Sequence, residues 1–109
     1  AEEDLVEPHD AWAEDIILAE GISRYQEFVT TKVNKISSNW AGLRTFAPDR
    51  SLVIGSAKNN PSFFFMAGQG GYGFQTAPAA SNLLKELIME LPHDLSKKTI
   101  EQLDPKRFS

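Results

Sequence analysis

The residues best equipped for chemistry in this chain are a glycine cluster and one arginine. Gly68, Gly70, Gly71 and Gly73 fall within six residues, interleaved with Gln69 and Tyr72. They follow the apolar run 63–67 and precede a segment with a helical apolar stripe. A helix that begins after such a turn offers unpaired backbone N–H groups and the positive end of its dipole, which favours an anion or an electron-rich ring edge. Glycines let that ligand come close to the backbone; equally, they serve a tight strand-to-helix turn that simply needs positive φ. Gly68, Gly70 and Gly73 match the spacing GxGxxG. The full dinucleotide fingerprint also needs a second parallel strand with an acidic end ~20 residues further on, and here that distance falls within a helix.

Arg44 is the second candidate. On an extended segment, Trp40, Arg44 and Phe46 share one face, Gly42 leaves that face open, and Leu43 and Thr45 project on the other. A guanidinium between aromatics in a partly dry setting needs a planar anion, and a carboxylate matches its fork. Arg44 is therefore read as a carboxylate clamp, with an exposed arginine or a surface ion pair as the plainer alternative. The other polar groups give less. His9 and His93 lie in polar terminal segments at no spacing that suggests a shared metal, and no serine has an adjacent base. Asp49 reads as a turn residue, and Lys97 and Lys98 as solvated. With no cysteine, disulfides, thiolate metal sites and cysteine nucleophiles are excluded. No catalytic side chain and no metal site are expected.

The elements that must hold these residues are short. The chain has 109 residues, 41% hydrophobic and 24% charged, which suits one small folded unit rather than a disordered chain. No stretch approaches the ~20 apolar residues of a membrane helix, and no secretory signal is visible. A net charge of −4 argues against a nucleic-acid surface. Nine acidic residues against Arg24 alone in residues 1–27 read as a solvated face.

Leu18, Ile22, Tyr25 and Val29, widened by Ile17 and Phe28, predict an amphipathic helix over residues 15–29, packed on something apolar. Residues 32–46, rich in β-branched and aromatic types, read as a strand. A turn follows at Ala47, Pro48, Asp49 and Arg50, then a short strand at Leu52, Val53 and Ile54, then a polar loop from Gly55 to Pro61. The run 63–67 reads as a strand covered on both faces. A second helix is expected to start between Thr76 and Pro78 and to stop before Pro92. Residues 93–109 read as a surface tail with room for one short helical turn and with Leu95, Ile100, Leu103 and Phe108 as intermittent anchors. The expected class is α+β, with two main helices and three to four strands.

Four stretches together carry a family likeness: EPHDAW at 7–12, WAGLRTFAPD at 40–49, Val53, Ile54 and Gly55, and GQGGYGFQTAPAA at 68–80. In this order they resemble the C-terminal region of FAD-dependent D-amino-acid oxidases and glycine oxidases, nearest to the D-arginine (D-amino-acid) dehydrogenase branch. That resemblance implies a Rossmann-like FAD domain and an antiparallel-sheet substrate domain. Residues 1–50 would belong to the substrate domain, 51–92 to the FAD domain, and 93–109 to a polar tail. It implies that Arg44 binds the substrate α-carboxylate. Gly70, Gly71, Tyr72, Gly73, Phe74 and Gln75 would lie against the flavin, and Gly71 and Phe74 would border the substrate. The implied reaction oxidises the α C–N bond of an amino acid, a D-amino acid or a glycine-like amine, by hydride transfer to flavin N5.

The cofactor is then FAD, held by a longer parent enzyme whose N-terminal FAD-binding half is absent here. The isolated chain is expected to be inactive, to bind FAD weakly or not at all, and to partner that half or to self-associate through its apolar strand. Cytoplasmic location is expected. The reading from a different class is a small non-enzymatic α+β binding module or accessory subunit.

Overall fold

The computed structural model of the chain describes residues 5–108. Glu2, Glu3 and Asp4 of the acidic stretch, and the last residue of the tail, lie outside the described residues. The chain forms two compact units, Ala1–Leu43 and Arg44–Ser109.

The first unit contains one regular element, helix α1 (Asp15–Phe28). Its bounds match the predicted period, and Glu20 and Arg24 pair across one turn on its polar side. The expected packing is absent among the described residues of this unit: no α1 residue is buried, and Ile16, Tyr25 and Phe28 are exposed. At the entry, His9 Nδ1 lies 2.9 Å from the Glu7 carbonyl and its ring meets Trp12 edge-on.

The strand expected over residues 32–46 does not form; this segment has no regular secondary structure. A strand is defined by its neighbour's hydrogen bonds, and among the described residues no other strand runs beside it. The mixture is still α+β, but with one two-stranded sheet rather than three to four strands.

That sheet is an antiparallel hairpin in the second unit, β1 (Val53–Ala57) with β2 (Asn60–Ala67). The polar loop expected from Gly55 to Pro61 shrinks to Lys58 and Asn59, because the register Val53↔Ala67, Ile54↔Met66, Gly55↔Phe65 and Ser56↔Phe64 zips through it. Pro61, which cannot donate to a ladder, sits beside the irregularity between Ser56 and Ala57. The run 63–67 is not covered on both faces either. Phe63 is 52% exposed and stacks edge-on against Phe65, because a single pair of strands leaves one face open.

Helix α2 (Gly73–Ile88) starts three residues before the earliest position the sequence suggested. Thr76 is not its cap; the Thr76 hydroxyl donates back to the Tyr72 carbonyl at 2.7 Å, and Pro78 is inside the helix. The helix ends with Glu90 at φ 53 and the Leu91 N–H on the Glu86 carbonyl at 2.9 Å, a left-handed stop two residues ahead of Pro92.

Ile54 of β1 and Ala80 and Leu83 of α2 form the buried centre, with Leu52, Met66, Leu84 and Leu87 packed around it. The segment expected to be a surface tail contributes to that core. It folds into α3 (Lys97–Leu103), capped by Ser96, and a 3₁₀ turn (Pro105–Phe108). Leu95, Ile100 and Leu103 pack on the same cluster. Gly55 makes room for the 3₁₀ turn: a Cβ there would lie 2.9 Å from Pro105 Cδ.

Candidate functional site

Arg44 and the glycine turn, which the sequence offered as separate candidates, meet. The Thr45 carbonyl accepts from the Gly70 N–H at 2.9 Å, so residues 44–46 run alongside residues 69–71. Arg44 Nη1 then sits 2.8 Å from where a Gly71 Cβ would be. The Phe46 ring fills the corresponding space at Gly70, with Cε1 at 2.3 Å, and Gln69 Oε1 fills that at Gly73 at 2.7 Å. The glycines therefore do two jobs. Gly68 and Gly70 take positive φ, 67 and 48 degrees, and Gly70, Gly71 and Gly73 admit this chain's own side chains. Close access of a ligand through their missing Cβ atoms is not what they provide.

The aromatic pairing expected for Arg44 is rearranged. Phe46, turned into Gly70, carries Arg50 over its ring at 5.4 Å, and Trp40 is exposed in the first unit. Arg44 is itself exposed and makes no ion pair or hydrogen bond among the described residues.

Unpartnered backbone donors lie at the start of α2 among the described residues. Tyr72, the residue ahead of the helix, gives no side-chain cap. The first intrahelical bond runs from the Thr76 N–H to the Tyr72 carbonyl at 3.0 Å. The N–H groups of Gly73, Phe74 and Gln75 thus have no partner among the described residues. Helix α3, by contrast, has a side-chain cap, the Ser96 hydroxyl accepting from the Thr99 N–H at 3.2 Å. Beside the open donors, the Phe74 side chain is 98% exposed and Tyr72 is also exposed. A guanidinium and three aligned amides without partners among the described residues therefore stand with two exposed aromatic rings at one end of one helix, a donor set that matches a carboxylate and the acceptor edge of a polar ring system.

The FAD-dependent oxidoreductase family model, DAO, matches residues 2–87. The chain belongs to this family. Membership makes the chemistry a flavin's, and the donor set fits that cofactor: an acceptor-rich ring edge that gains negative charge on reduction suits an uncapped helix start. Arg44, the glycine turn and α2 all lie inside the matched span, whereas α3 and the 3₁₀ turn lie beyond it. No helix of the described residues is long and apolar enough to cross a membrane, and none of their His, Asp and Glu side chains group as a metal site.

One polar cluster of this chain has no signature in its sequence. Arg107, on the 3₁₀ turn, donates from Nε to Asp49 Oδ2 at 2.8 Å and from Nη2 to Asp49 Oδ1 at 3.1 Å. It also reaches the carbonyls of Ser51 at 3.2 Å, Leu52 at 3.0 Å, Leu103 at 2.8 Å and Asp104 at 3.1 Å. The Arg107 hydrogen bonds hold the Asp49 carboxyl below its ordinary pKa; desolvation opposes that shift, and the Ser51 N–H reinforces it. Asp49 is thus a turn residue and an arginine partner at once. Nothing local marks Arg107, since its partner is 58 positions away.

Proposed function

We propose that this segment forms the reacting end of the active site of a longer FAD-dependent enzyme that oxidises the α C–N bond of an amino acid, a D-amino acid or a small glycine-like amine. The supporting observation is the Arg44 guanidinium, without an ion pair or hydrogen bond among the described residues, 2.8 Å from the Gly71 Cβ position and beside the three amides that open α2. Arg44 binds the substrate carboxylate through its fork and fixes the orientation of the α-carbon. The N–H groups of Gly73, Phe74 and Gln75 would hold the electron-rich edge of the flavin, where they would stabilise added negative charge. FAD, when bound, would supply the acceptor for the two electrons and the α-hydrogen of the substrate, the amine proton going to solvent. The imino acid released hydrolyses to a keto acid and ammonia. The exposed Phe74 ring borders the substrate and excludes water from that side. No residue of this segment serves as a general base.

The hairpin is antiparallel and offers no βαβ unit for the adenylate end of FAD. That end belongs, in this reading, to a companion portion of the enzyme, which would cover the open face of β2 around Phe63; a second copy of the chain is the other candidate for that face. The test is Arg44→Ala in the FAD-loaded enzyme. KM for amino acids should rise about 10²-fold, the scale of one lost charge-assisted bidentate contact, with flavin content unchanged. An unchanged KM would overturn the clamp.

A further inference from the structure

We infer that Arg107, outside the span matched by the family, is a positioning residue for the Arg44 carboxylate clamp, acting through the turn at residues 47–52. This rests on the reading of Arg44 above. The path is continuous. Arg107 grips the turn at three points, the Asp49 carboxylate and the Ser51 and Leu52 carbonyls, and grips its own element through the Leu103 and Asp104 carbonyls. Its side chain is mostly buried and its bonds to the four carbonyls are partly shielded from solvent, while the Asp49 carboxylate is 42% exposed. The turn is closed by the Arg50 N–H on the Ala47 carbonyl at 2.8 Å and by the Ser51 N–H on Asp49 Oδ1 at 3.1 Å.

From there the turn presses directly on the glycine run. At Gly68 a Cβ would lie 3.4 Å from each of the Ala47 nitrogen, the Ser51 oxygen and a Val53 methyl. The Ser51 carbonyl therefore accepts from Arg107 and lies 3.4 Å from the place a Gly68 side chain would take. Ala47 is buried, and the two residues before it are locked to Gly70, Thr45 by its carbonyl and Phe46 by its ring. Arg44 is the next residue back, and among the described residues its own guanidinium has no partner to fix it. Its aim depends on the backbone it leaves from, and that backbone is anchored through Arg107.

A planar fork with donors in fixed directions is needed to hold a carboxylate and several carbonyls at once; an ammonium group is not shaped for it. The experiment uses Arg107→Lys in the FAD-loaded enzyme, with and without Arg44→Ala. Arg107→Lys should raise KM for amino acids about tenfold with kcat and flavin content near the parent's, the pattern of a misaimed binding group. The affinity for acetate, a bare carboxylate titrated against the visible flavin spectrum, should fall by a similar factor. In the Arg44→Ala background, Arg107→Lys should add nothing to KM, because the residue it positions is gone.

Unchanged KM and acetate affinity in Arg107→Lys, or an equal rise in both backgrounds, would overturn the inference. Should Arg107→Lys not fold, Asp49→Asn leaves the carbonyl bonds in place and should give a smaller rise of the same kind; no rise overturns it. An Arg44→Ala enzyme with the parent's KM would instead remove the clamp itself, and a raised KM there beside a parent-like Arg107→Lys enzyme removes only the positioning step.

Discussion

At Gly70, two requirements coincide in one residue: a φ of 48 degrees and the Phe46 ring 2.3 Å from where a Cβ would stand. Phe46 cannot yield easily, since Thr45 beside it is bonded to the Gly70 nitrogen. Gly70→Ala should therefore destabilise the second unit by about 2–3 kcal/mol, read by denaturant unfolding. Asp49 gives a pH signature. Its folded pKa is lowered, so the contribution of its pair with Arg107 is complete above the unfolded value near ~3.9 and is lost as pH falls through the lower folded value. The gap in melting temperature between the parent and Asp49→Asn should be constant above about pH 5 and close below about pH 4. Equal gaps at pH 7 and pH 3 would contradict the pairing. Arg44 and the glycines stood out in the sequence by residue type, whereas their meeting through the Gly70–Thr45 hydrogen bond did not. Arg107 did not either, because an arginine's worth here comes from acceptors distant in the chain.

Among the elements, the helices were legible where an apolar stripe ran unbroken, as in α1 and the body of α2. The start of α2 was hidden: Gly73 is a poor helix former, and it opens the helix because the Gln69 side chain needs the space that a Cβ would take. Residues 32–46 have strand composition, but composition cannot supply the neighbour whose hydrogen bonds make a strand. The far end of α2 offers a direct test. Glu90 takes φ 53 to let Leu91 bond back to Glu86, a conformation that costs a side-chain-bearing residue about 1 kcal/mol. Glu90→Gly should raise stability by roughly that amount, seen as a higher melting temperature. A lower melting temperature would mean that the Glu90 side chain contributes more than the backbone strain costs.

For the whole molecule, the decisive correction is the segment after Pro92. Leu95, Ile100 and Leu103 close the cluster formed by Ile54, Ala80 and Leu83, so a chain cut after residue 92 should lose amide-exchange protection throughout β1 and the body of α2. Full protection in the cut chain would show the segment to be dispensable. The sequence offered only sparse apolar anchors in this stretch, and their value came from a shared target rather than a local period. The Arg107–Asp49 bond also has a temporal meaning. It spans 58 residues, so during synthesis the hairpin and α2 emerge well before the group that fixes the turn behind Arg44. A chain ending at residue 104, which keeps α3 on the core, should protect the hairpin from protease while its 47–52 turn stays open to cleavage; the turn behind Arg44 is the last part of this unit to be set.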